Sequence, residues 1–132
     1  MKRNLFIVVL VLLMVVFMAA TVWAATLTPQ EITKSGIIVT PVTITDTTHT
    51  FANDGNQFIY IANASGDTIA YTVTIPGTIG GYNIEDVSGT VADGVTKYVG
   101  PFNPTYSNDS SGNVDFATNT ATSVTLAVLE LN

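Results

Sequence analysis

The chain has 132 residues and 47% hydrophobic content, which sets one domain rather than two and, with no cysteine, excludes disulfides, thiol catalysis and Cys-ligated zinc. Its four basic residues are Lys2, Arg3, Lys34 and Lys97, so beyond residue 24 the chain holds 2 positive against 10 negative charges, a net of −8. Such a surface repels phosphate backbones, and nucleic acid is excluded as a partner.

The N-terminus reads as an export segment. Met1-Lys2-Arg3-Asn4 is a short positive start and Leu5 to Ala20 is an unbroken apolar run. Val22 and Ala24 are small enough for the positions three and one before a signal-peptidase cut, which places cleavage between Ala24 and Ala25. The competing reading keeps the segment as a membrane-spanning helical anchor, since Leu5 to Ala25 is 21 residues. A pilin-type leader lacks its usual Gly before the cut and its Glu inside the run. Either main reading sends the body across the membrane, with the Lys-Arg end left behind. Residues 1–24 are thus a signal peptide or signal anchor, and the body is secreted or held at the cell surface. Its contact with a membrane would run only through residues 5–25, if uncleaved.

Residues 25–35 (ATLTPQEITKS) lack alternation and read as an N-terminal arm. Leu27 and Ile32 are enough to dock such an arm and too few to build a core. The arm is expected to link copies of the chain head to tail, or else to be disordered or fold back on its own body.

Residues 36–132 read as strands. "GIIVTPVTIT" (36–45) is β-branched but interrupted by Pro41. "QFIYIAN" (57–63) sets Ile59 and Ile61 on one face, Phe58, Tyr60 and Ala62 on the other. "TIAYTVTIP" (68–76) sets Ile69, Tyr71, Val73 and Ile75 on one face, expected to point inward with Leu126 and Val128 of "TSVTLAVLEL" (122–131). "SGTVA" (88–92) and "VTKYVG" (95–100) flank Asp93-Gly94, the signature of a hairpin. Short strands punctuated by Gly, Asn and Asp, with no helical period after residue 25, predict one all-β domain, a β-sandwich or jelly-roll-like barrel.

Chemistry is sparse. His49 is the single histidine and sits in the polar stretch "TDTTHTF", where a solvated residue is expected; no G-x-S-x-G elbow accompanies it. Glu85 and Asp86 are neighbours and point to opposite faces if extended. Asp109, Ser111, Asn113 and Asp115 alternate around Gly112, a spacing of oxygen ligands that can wrap Ca²⁺, although it departs from the EF-hand pattern; a plain acidic loop is the other reading. No other cofactor is implied. Asn63 and Asn108 head N-glycosylation sequons. The aromatics, spread through the strands, are expected to fill the core rather than form a sugar platform. No enzymatic constellation emerges.

"LTPQEITKSG" (27–36), "FANDGNQFIYIAN" (51–63), "YTVTIP" (71–76), "YVGPF" (98–102), "VDF" (114–116) and the closing "TSVTLAVLEL" resemble, in order and spacing, a family of small tailed-phage structural proteins read as head decoration or minor virion components. The resemblance implies a β-sandwich assembly subunit. The export segment points to the same fold used outside a cell, in a filament, sheath or surface layer. A monomeric binding or adhesion module for a glycan or cell-surface ligand is the alternative.

Overall fold

The computed structural model describes residues 24–132; the Leu5–Ala20 run and its expected helix lie outside the described residues. Two five-stranded layers form a sandwich, so the expected all-β class holds. The first sheet contains β1 (Ala25–Thr26), β4 (Thr48–Ala52), β11 (Asn113–Thr118), β6 (Ile69–Val73) and β9 (Val87–Val91), in that order across the sheet. The second runs β10 (Thr96–Val99), β5 (Gln57–Asn63), β12 (Val124–Leu131), β2 (Pro29–Ile32), with β3 (Val42–Thr43) sharing the outer edge of β12. A small hairpin, β7 (Thr78–Ile79) and β8 (Tyr82–Asn83), and a one-turn helix, α1 (Pro104–Ser107), complete it. Asn103 caps α1 by accepting from Thr105 N at 3.0 Å, and Pro104 has no N–H to leave unpaired there.

Period-2 alternation sets the core. Ile59 and Ile61 of β5, Ile69, Tyr71 and Val73 of β6, and Leu126 and Val128 of β12 are all buried in one cluster, with Ile75 just beyond β6. The inward face expected from "TIAYTVTIP" is therefore the observed one. Val73 has no exposed surface, and Val73→Ala is expected to cost about 1–3 kcal/mol as a large-to-small core change. Thr72→Ala, on the half-buried outer face, should cost little; equal losses in urea melts would invert the face assignment.

Two expectations are corrected. Asp93-Gly94 does not close a hairpin: β9 pairs with β6 in one sheet and β10 with β5 in the other, so the turn carries the chain between layers. Gly94 still supplies a turn, at φ +72, but its N–H donates to Asn63 O at 2.8 Å rather than within a two-strand ladder. In 36–45 only Val42 and Thr43 pair as a strand, after Pro41; Ile38 is 92% exposed.

Residues 25–35 fold back on their own body, one of the outcomes expected of the arm. β1 runs parallel to β4 (Ala25 beside His49, Thr26 beside Thr50), and β2 runs parallel to β12 (Pro29 beside Val128 through Ile32 beside Leu131). Between them the chain crosses from one sheet to the other, and Leu27 is buried over the gap. Unpaired edges on both layers give an extended segment somewhere to hydrogen-bond, which local alternation does not reveal.

Candidate functional site

The crossing arm roofs a groove of about 450 Å³. Its walls are Leu27 to Gln30 of the arm, Val42 to Asp46 around β3, and Leu126 to Val128 of β12. His49 lines it from β4. The floor is apolar (Ile44, Leu126, Val128) and the rim carries threonines. Gln30 ties the two rims together: its side-chain amide donates to Thr40 O at 2.8 Å, and its Oε1 accepts from Thr40 N at 2.9 Å.

His49 is not solvated as its polar neighbours suggest. Thr48-His49-Thr50-Phe51 alternates, so His49 shares the inward face of Phe51 and is buried, with 2% exposure. Its Nε2 lies 2.9 Å from Asp46 O. A carbonyl oxygen only accepts, so Nε2 carries a proton and donates it to Asp46 O. Nδ1 is buried with no hydrogen-bond partner among the described residues. The signal legible in advance was the spacing to Phe51, two residues away.

The acidic loop is held by hydrogen bonds of its own. Asp109 Oδ1 accepts from Ser111 N at 2.7 Å and Asn113 N at 2.9 Å, and Asp109 N donates to Asn113 O at 2.7 Å. This carboxylate thereby closes the turn into β11. Asp115 leans out from β11, and partial burial, then the charge of Asp109, hold its carboxyl above the usual range. A raised carboxyl pKa means that ionisation opposes folding. The penalty is absent at pH below the unfolded pKa and fully present above the raised folded one. Asp115→Asn should therefore raise the melting temperature slightly at pH 7 and not at pH 3; an equal gain at both would remove the charge as its cause. Among the described residues no group of three or more His, Asp or Glu side chains gathers as a metal site.

Both sequon asparagines use their amide nitrogens inside the fold. Asn63 is buried, donates to Asp67 O at 2.7 Å and Val91 O at 2.9 Å, and accepts from Ser65 N at 3.0 Å. It fastens the β9 edge of one sheet to β5 of the other. Asn63→Ala is expected to cost about 1–3 kcal/mol, because these groups are left without partners in the interior. An unchanged melt would show that they find water instead. Asn108 donates to Asn53 O at 2.8 Å and Gly112 O at 3.2 Å, and accepts from Asn53 Nδ2 at 2.6 Å. The Asn-Asp-Gly-Asn turn has a partner that composition does not show. Gln57 Oε1 accepts from the backbone N–H groups of Asp54, Gly55 and Asn56 at 2.8–3.2 Å.

Aromatics divide between core and surface. Phe51, Tyr71, Phe102 and Phe116 are buried, whereas Tyr82 and Tyr98 are exposed. Tyr98 stands edge-on to Tyr60, their centroids 5.5 Å apart, on the outer face of the second sheet. Glu85 and Asp86 form no facing pair: Asp86 Oδ1 accepts from Ile75 N at 2.8 Å.

Family models, curated proteins and solved structures offer no match to this chain. The geometry offers two features: the groove beneath the arm, and the sheet edges opposite it. β9 and β10 form those edges, with no strand on their outer sides among the described residues. Val87, Val95 and Tyr98 are exposed along them. Their single cation, Lys97, turns back on its own molecule, with Nζ 3.3 Å from Thr90 O and 5.1 Å from the centre of the Tyr71 ring.

Proposed function

We propose that this chain is a non-enzymatic structural subunit, exported and self-assembling into a filament, sheath or surface layer, or a virion decoration-like coat. The observation that carries the reading is the pair of open edges, β9 and β10, with no strand on their outer sides among the described residues. Sheet proteins that stay monomeric usually place lysines, prolines or bulges on their edges to block pairing. Here β9 and β10 contain no proline, and Val87, Val95 and Tyr98 are exposed along them. The resemblance to small tailed-phage structural proteins supports the same use. The apolar leader supports work outside the membrane, as a secreted or surface-held protein, and the acidic body argues against nucleic acid. The partners are copies of the chain itself.

The test is the mature chain from Ala25, purified from the medium and followed by light scattering and negative-stain microscopy. Polymers growing with concentration are the expected result. A monodisperse species of single-chain mass at high concentration would refute self-assembly.

A monomeric glycan- or surface-binding module is the second reading, and His49 is the observation favouring it. A ligand hydroxyl entering the groove would give Nδ1 the hydrogen-bond partner it lacks. Saturable sugar binding by a monomer, lost in His49→Leu, would establish that reading in place of assembly.

A further inference from the structure

The arm and its seat have an unusual property: nearly every bond between them joins the arm to β4 or β12, and not to the residues that tether it. β1 pairs over two positions with β4, Leu27 N donates to Thr50 O at 2.8 Å, and β2 pairs over four positions with β12. The tether, residues 33–41, is mostly exposed, and its nine residues reach about 30 Å when extended. An arm from another copy would meet the same β4, the same β12 and the same groove in the same register.

We infer that the arm is exchanged between copies: residues 25–32 of one chain take the β1 and β2 seat of the next. The inference rests on the self-assembly reading above and names its connector. Each strand bond broken at home is remade on the neighbour, so exchange requires only opening the tether turn and associating. Opening that turn gives up the Thr33–Gly36 bridge and the tie between Gln30 and Thr40. The apolar edges at Val87, Val95 and Tyr98 add surface to bury between bodies already joined. Passing an arm from each copy to the next leaves the assembly open, whereas mutual exchange closes it as a dimer.

A chain without cysteine makes the test clean. Thr26 and Thr50 are Cα partners, Thr26 exposed and Thr50 half-buried, so Thr26→Cys with Thr50→Cys places two thiols within disulfide reach wherever the arm is seated. The mature double variant is assembled under reduction, checked by light scattering, then oxidised and denatured. Exchange predicts covalent dimers or a ladder of multiples on a non-reducing gel; each single variant stops at dimers or below. Mutual exchange is distinguished from random pairing by two cross-links per dimer, read by peptide mass mapping. Polymers whose thiols close only within one chain would overturn exchange and leave self-assembly standing. Monomers with internal disulfides would overturn both. Glu31→Cys with Glu130→Cys reads the β2 seat in the same way, should the first pair disturb the edge.

Discussion

A mature chain shortened to begin at Ser35 should melt far below the intact protein, or fail to melt cooperatively at all. The shortened chain loses β1 and β2 together, so β4 and the C-terminal half of β12 become open edges. It also loses Leu27, which roofs the gap between the sheets. Burying one such side chain contributes about 1.5–3 kcal/mol by itself. A domain of this size has a total stability on the order of 5–15 kcal/mol. A loss of about 3 kcal/mol would lower the midpoint by roughly 12–24 °C. Circular dichroism through a thermal ramp measures it. A peptide of residues 25–34, added in excess, should restore part of the loss by binding the folded body and not the unfolded chain. A melt unchanged by truncation would mean that the arm contributes nothing to its seat. It would also remove the basis for exchange, because an arm that does not stabilise its own body has no reason to hold another.

Phe51→Ala should be the most damaging single substitution. Phe51 has no exposed surface and packs on the inward face of β4, with the ring of Phe102 6.0 Å away and tilted by 54°. Removing so large a buried ring costs about 3–5 kcal/mol through lost burial and the cavity left behind. The damage should spread locally. Phe102 belongs to the segment that leads into α1, and its carbonyl accepts from Asn53 Nδ2 at 3.2 Å. Without Phe51 behind it, that end of the sandwich loses its apolar support while keeping its hydrogen bonds. Urea unfolding should show a lower midpoint at an unchanged slope. Thr50→Ala, one residue away and on the opposite face, is the control. Comparable losses at both positions would show that β4 does not present its faces as described.

Much of the interior was legible from the sequence, for a local reason. Side chains on a strand alternate, so "QFIYIAN" and "TIAYTVTIP" name their buried faces without reference to any partner. Turn residues likewise mark where strands stop: Gly55 and Gly66 adopt positive φ between β4 and β5 and between β5 and β6. Absence of cysteine and scarcity of lysine are properties of composition, and folding does not change them.

What alternation does not encode is the neighbour. Asp93-Gly94 is the same turn signal whether the flanking strands pair with each other or diverge, and β6 and β5 claimed them separately. β12 alternates in sequence, yet Ala127 and Leu129 on its second face are buried as well. "ATLTPQEI" has no periodicity of its own because its two short strands belong to different sheets and meet them in separate registers. His49 looked solvated among threonines and aspartate, and was drawn inward because β4 must turn Phe51 to the core. Asn63 looked like a surface sequon, and became the tie between layers because three backbone groups converge on its amide. Local pattern determined which side of each strand avoids water. Long-range hydrogen-bond pairing, which depends on which edges remain unfilled after the core has formed, decided where each strand went and which polar groups it carried inside.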